Sequence, residues 1–370
     1  VTLTAAILYR EELKEYDFGI GHPFRGDRYQ LFHQFLISKL PEDNNYRVLQ
    51  AEPATEQDLL LICEKDYIDF TREYYGASGT GSSPADQFFR FHSMDNLPIG
   101  RPGKLEEAAR LVIGQAKMAC NLVQNGEFDK VVSVGGGLHH AKRSYGEGFC
   151  LYNDVAYCAL YLLSEFALDR ILILDTDAHA GNGTAEYFYM EPKVLFIDIH
   201  QNPNTLYPGT GFIHQIGEGA GKGFTINIPM PVGAGDNSYK LVFDSIVSPV
   251  TREFQPQIII RNGGSDPHLY DDLTDLGLTV KGFRMIGERV RELSTICGDR
   301  VIDLIASGYN RQILPYAWLA LTSGLMGINM KLEEPERIPQ QYISDSVYVE
   351  TEKVVNEVKN NLKEYWSCLR

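Results

Sequence analysis

The sequence has no C-x-x-C pair, and its six cysteines (Cys63, Cys120, Cys150, Cys158, Cys297 and Cys368) lack the spacing of a small disulfide framework. That excludes a zinc ribbon, so any metal must be held by histidine and carboxylate, and it points to a reduced, cytoplasmic setting. No apolar run approaches the roughly 20 residues that span a bilayer. The opening VTLTAAILYREE also lacks the basic flank and longer apolar region of a signal peptide, so no membrane partner is expected. Basic residues are outnumbered 34 to 49, giving a net charge of -15. Direct nucleic-acid binding is therefore not expected, and cationic substrates are mildly favoured. No internal repeat is present. GEGAGKG at 217–223 has no Ser or Thr after its lysine and leads into FTINI instead of a helix, which excludes a phosphate loop.

At 370 residues and 44% hydrophobic composition, the chain can bury a large core. Short β-branched runs recur: VVSV at 131–134, ILIL at 171–174, VLFIDI at 194–199, FTINI at 224–228, QIII at 257–260 and VIDLI at 301–305. Several are almost wholly apolar, as strands covered on both faces are. Helical patterns lie between them at 104–125, 154–168, 237–253, 280–295 and 312–328. The alternation predicts an α/β fold, a mostly parallel central sheet with helices on both faces, in a single domain over 1–370. YGASGTGSSPAD at 75–86 reads as a surface loop or lid. Near the end, Val354, Val358, Leu362 and Tyr365 fall on one helical stripe expected to pack on the body or on a partner subunit.

The polar clusters follow strands. VVSV leads into GGGLHHAKRSYGEGFCLYND, ILIL into DTDAHAGNG, QIII into RNGGSDPHLYDD, and VIDLI into ASGYNRQ. In open α/β sheets, sites are built at the carboxyl ends of strands, so these segments are expected to converge on one crevice. Alternation along an extended strand end points Asp175, Asp177 and His179 the same way. Buried carboxylates need positive partners, either protein cations or a metal. Each cluster also has a plainer reading: a solvated turn for His139 and His140, helix capping for Asp175, Asp177 and Asp266, and packing for Tyr309. Their joint occurrence at successive strand ends is harder to assign to structure alone.

In order, GGGLHHA, GFCLYND, DTDAHAGNG, YPGTG, GGSDPH and SGYN resemble the histone deacetylase superfamily, in particular its prokaryotic acetoin-utilisation-type members. YDFGIGHPFRGDRY and MDNLP resemble the family's N-terminal motifs, and the likeness runs from about residue 16 to residue 320. It implies an arginase/deacetylase-like fold and a zinc-dependent hydrolysis of an acyl amide. Asp177, His179 and Asp266 would hold Zn(II), a ligand set that also suits Fe(II). His139 and His140 would be the acid/base pair, oriented by Asp175 and Asn182 respectively. Tyr309 would face the reacting carbonyl oxygen. Phe149 and Tyr207 would wall the substrate tunnel, with Gly148 and Gly308 beside them, and Asp95 at the rim would bind a substrate backbone. Asp175, Asp177, His179, Asp198 and Ile199 would form a structural potassium site, and Arg28 would line the inner channel where acetate leaves.

Three residues depart from the family pattern. Ala180 stands where many members have a second histidine, Tyr207 replaces the usual phenylalanine, and Ser307 replaces a glycine. None removes a predicted ligand. The resemblance implies acylated lysine in proteins or peptides as substrate, with acetylated polyamines as the alternative. Other readings are a non-catalytic acyl-lysine binding module and a two-manganese ureohydrolase, which would need a further closely spaced Asp beside Asp266.

Overall fold

The computed structural model describes residues 5–40, 46–76 and 85–370. Most of the stretch 75–86, read above as a loop or lid, lies outside the described residues. Among the described residues there are eight strands: β1 (Ala5–Leu8), β2 (Tyr46–Leu49), β3 (Lys130–Val134), β4 (Ile171–Asp175), β5 (Val194–Gln201), β6 (Thr225–Met230), β7 (Ile258–Asn262) and β8 (Val301–Ile305). They form one sheet in the order β2-β1-β3-β8-β7-β4-β5-β6. The pairs β1–β2, β1–β3, β4–β5, β4–β7 and β5–β6 are parallel. The six expected strands are all present; β1 and β2, four residues each, are too short to announce themselves by periodicity.

The chain comprises two compact units, residues 1–167 with 304–306, and residues 168–303 with 307–370. In the first, helix Leu105–Gln124 buries Leu105, Ala108, Ala109, Val112, Ile113, Ala116 and Ala119, an i, i+3, i+4 stripe that packs inward. Glu106 and Glu107 sit in its positive first turn. Helix Asp154–Glu165 begins where the Asn153 side chain accepts the Ala156 N–H at 2.8 Å.

In the second unit, β4, β5, β6 and β7 are buried along their whole lengths. Their register sets Asp175 beside Asp198 on one side and beside Asn262 on the other. The helix expected at 237–253 is present as one uninterrupted run over 236–254, in which helix Asp236–Val242 passes through a wide π turn at Phe243–Val247 into helix Ser248–Phe254. Pro249 has no N–H to continue the ordinary ladder, and a widened turn accommodates its ring. Helices Val280–Ser294 and Leu314–Met326 cross closely through glycine: a Cβ on Gly287 would lie 2.1 Å from the Leu321 carbonyl oxygen, and one on Gly324 2.4 Å from that of Arg284. The last long helix, Tyr348–Leu362, buries Thr351, Val355, Val358 and Leu362. The expected stripe is thus rotated: Val354 is half-buried, and Tyr365 lies past the helix end and is 39% exposed. Trp366 is buried instead, donating its indole N–H to the Gly223 carbonyl at 2.8 Å.

Candidate active site

In the first unit, β3 leads into Gly135, Gly136 and Gly137, and the chain turns so that His139 and His140 are both buried. Their Nε2 atoms lie 3.1 Å apart. The turn is held from below by two residues that the motif reading left without a role. The Asp154 carboxylate accepts the N–H groups of Gly137 and Leu138 at 2.8 and 2.7 Å. The Asn153 amide donates to the carbonyls of His139 and Ala141 at 3.2 and 3.0 Å. Burial pushes Asp154 up to about 6, against the pull of those N–H donors. The cue was the YND triplet itself, a capping residue and a carboxylate immediately before an apolar helix.

Gly148 packs on His140: a Cβ there would stand 2.2 Å from His140 Cδ2, and its φ of +59° is in any case a glycine conformation. Its N–H donates to Asp95 at 2.9 Å. Asp95 also accepts from the Ser93 hydroxyl, so the predicted rim carboxylate is fixed on both sides. Phe149 adopts φ +65°, rare for a residue with a side chain. It is held by the Tyr16 hydroxyl, which donates to the Phe149 carbonyl at 2.7 Å and accepts the Leu151 N–H at 3.2 Å. The Phe149 ring packs against His22, Phe18 and Phe24 at centroid distances of 4.8, 6.2 and 5.9 Å. Arg28 is buried, donates to the carbonyls of Arg25, Ala306 and Pro23, and stacks its guanidinium 4.0 Å from the Phe24 ring centroid.

In the second unit, Asp177, His179 and Asp266 bring one ligand atom each to within 4.8 Å of one another. His179 Nδ1 lies 3.1 Å from Asp177 Oδ1 and 3.0 Å from Asp266 Oδ2. Asp177 is fixed by accepting the His179 N–H at 2.8 Å and by donating its own N–H to Asp175 at 3.0 Å. Burial and the adjacent Asp177 push Asp266 up to about 8. Burial alone would lower His179, but its hydrogen bonds to Asp177 and Asp266 raise it to about 10. Two buried carboxylates and an imidazole with convergent atoms are a donor set fitted to a divalent cation, which would replace the proton they otherwise share.

The Asp175 carboxylate also accepts from the Asn262 amide at 2.8 Å. Asp198 accepts the Gly181 N–H at 2.9 Å and faces His200 Nδ1 at 2.9 Å. Burial raises Asp198 above its ordinary value, and the charge of Asp175 adds to that. Ile199, the other predicted member of the cation site, is buried on β5. Asn182 opens helix Asn182–Phe188, just after the half-turn carrying Ala180 and Gly181.

The rings of Tyr207 and Tyr309 each lie 6.5 Å from the His179 ring, centroid to centroid. Tyr207 is 41% exposed. Gly308 has φ +125° and lies against Ser265, where a Cβ would meet the Ser265 hydroxyl at 1.9 Å. Sequence reasoning missed Asp271: its carboxylate accepts the Tyr309 N–H at 2.7 Å and the Leu273 N–H at 3.0 Å, and burial raises it to about 6. Nothing in the sequence distinguishes Asp271 from its neighbour Asp272; only the fold does.

The chain matches the family model described as Histone deacetylase domain over residues 22–325. A probable deacetylase of Archaeoglobus fulgidus is 32% identical over 380 aligned residues, covering the whole of both chains. The acetoin utilization protein AcuC of Bacillus subtilis is 31% identical over 334 residues, 90% of this chain and 84% of that one. Among solved structures, the HD domain of HDA15 superposes with a TM-score of 0.81 at 25% identity, over 100% of this chain and 97% of that one. The chain therefore belongs to the histone deacetylase family, a family of hydrolases, and has its arginase/deacetylase-like α/β fold.

Proposed function

We propose that the chain is a zinc-dependent amidohydrolase that removes an acetyl or other acyl group from the ε-amine of acyl-lysine in proteins or peptides. The observation that carries this reading is the buried Asp177–His179–Asp266 cluster with the Tyr207 and Tyr309 rings beside it. Asp177, His179 and Asp266 would hold a divalent ion, Zn(II) or alternatively Fe(II), which would supply Lewis acidity and lower the pKa of water to about 7.

Amide hydrolysis needs a proton taken from water, charge stabilised on the carbonyl oxygen, and a proton given to the leaving amine. His140 takes the water proton and delivers it to the amine, while His139 supports the developing charge; Asp175 and Asn182 act as the supporting polar residues. Tyr309 donates its hydroxyl proton to the oxyanion, and the Asp271 bond to its N–H fixes the loop that carries it. The family resemblance assigns Phe149, Gly148, Tyr207 and Gly308 to the acyl-amide slot, a setting in which an uncharged acyl-lysine stem would gain by burial. Asp95, held by Gly148 and Ser93, offers a fixed acceptor to a substrate backbone N–H, which favours peptides. The net charge of -15 supports acetylated polyamines as the second reading.

A structural potassium ion is assigned to Asp175, Asp177, His179, Asp198 and Ile199, supported by the side-by-side register of Asp175 and Asp198. Arg28 is assigned to the channel for departing acetate. None of the six cysteines forms a disulfide and five of them are buried, which supports a reducing cytoplasm. Among the described residues, no helix is long and apolar enough to cross a membrane.

The test is acetate release from an acetyl-lysine peptide before chelation, after it, and after one equivalent of zinc is restored. Zinc-restored turnover is expected. A protein with one bound zinc that hydrolyses neither acyl-lysine peptides nor acetylpolyamines is a binding module, and two bound metals per chain identify a ureohydrolase-type centre.

A further inference from the structure

Ser307 is one of the departures from the family pattern, and its side chain is not idle. It is buried, and its hydroxyl donates to Asp266 Oδ1 at 2.8 Å, while Asp266 Oδ2 is the oxygen turned to His179 Nδ1 at 3.0 Å. The serine is itself immobilised: its carbonyl accepts the Ser265 N–H at 2.9 Å and the Trp318 indole N–H at 3.0 Å. Gly264 closes the other side, where a Cβ would lie 2.5 Å from the Ser307 hydroxyl. The hydroxyl proton is thus aimed at one carboxylate oxygen from a fixed backbone.

We infer that Ser307 is a positioning residue for the metal: it ties down one oxygen of Asp266 so that the other alone is presented to the ion. A glycine at this position supplies no such bond. The carboxylate would then be free to swing about its Cβ–Cγ bond, or to turn both oxygens toward the cluster. This inference rests on the metal-site reading above, but not on the identity of the substrate. Outer hydrogen bonds of this kind typically change metal affinity by about 10- to 100-fold.

The experiment is a chelator-competition titration of zinc into the metal-free full-length protein, for the wild type, Ser307→Ala and Ser307→Gly, with cobalt(II) absorption as a second readout. Both variants are expected to bind zinc about 10- to 100-fold more weakly. Their cobalt spectra should be altered and the melting temperature of the metal-free protein little changed. Ser307→Ala removes a single oxygen, so loss of fold is not its expected effect, and Ser307→Gly reports independently. Affinities within twofold of wild type with unchanged cobalt spectra would overturn the inference. A wild type that binds no divalent ion at all overturns the metal-site reading as well. A wild type that binds zinc but cleaves no acyl amide overturns the deacylase reading alone.

Discussion

Gly148→Ala is the sharpest test of the histidine pair, because the structure sets its magnitude. The added methyl would stand 2.2 Å from His140 Cδ2 and 2.6 Å from Cγ, where ordinary contact begins at 3.4 Å. The imidazole must therefore retreat by about 1 Å, and a displacement of that size in a reacting group costs about 100-fold in rate, close to 3 kcal/mol of barrier. Alanine at φ +59° adds about 1–2 kcal/mol of backbone strain, which appears as a modest fall in melting temperature. The metal ligands are all remote in sequence from this change, so metal content should remain that of the wild type. The assay is steady-state turnover of an acetyl-lysine peptide, alongside elemental analysis and a thermal melt. A folded, metal-loaded Gly148→Ala protein with turnover within threefold of wild type would refute the placement of His140 in the chemistry.

Three further outcomes are expected. Tyr309→Phe should keep its metal and its fold while losing about 100- to 1000-fold in kcat, measured on the same peptide. Asp266→Ala should lose the metal outright, which elemental analysis of the purified variant reads directly. Asp154 carries a pH signature: its native value is raised to about 6, so its contribution to stability is full below pH 4 and is lost as the pH rises through 6. The swing approaches about 3 kcal/mol. The difference in unfolding free energy between wild type and Asp154→Asn should follow that course in denaturant titrations from pH 4 to 7.5, and a flat difference would contradict it.

Much of this was legible in the sequence because the fold writes its strands as short apolar runs and its chemistry just after them. ILIL followed by DTDAH predicts Asp175, Asp177 and His179 on one extended strand end; β4 stops at Asp175 and the chain bends at 177–179, yet Asp177 and His179 still meet Asp266 in one cluster. What was not legible depends on partners far apart in the chain. Asp154 acts on Gly137 and Leu138 from 17 and 16 positions away, and Ser307 on Asp266 from 41. A carboxylate or hydroxyl alone does not say which amide or oxygen it will meet. The π turn within the helix at 237–253 had a local cause in Pro249, whose weight the apolar periodicity concealed. The final helix shows the reverse: its periodicity was real, but Trp366 beyond its end took the buried position assigned to Tyr365.

The clamp on Phe149 bears on the order in which the molecule can be assembled. Tyr16 leaves the ribosome before Phe149, and its hydroxyl has no Phe149 carbonyl to meet until 133 further residues have been made. Until that long loop closes, the unfavourable turn at Phe149 has lost one of its anchors, whereas the neighbouring histidine turn is secured by Asp154 from much closer in the chain. In a full-length Tyr16→Phe chain the histidine turn would keep both Asp154 bonds while the turn at Phe149 loses the hydroxyl that holds it, so slackening is expected first at that aromatic ring.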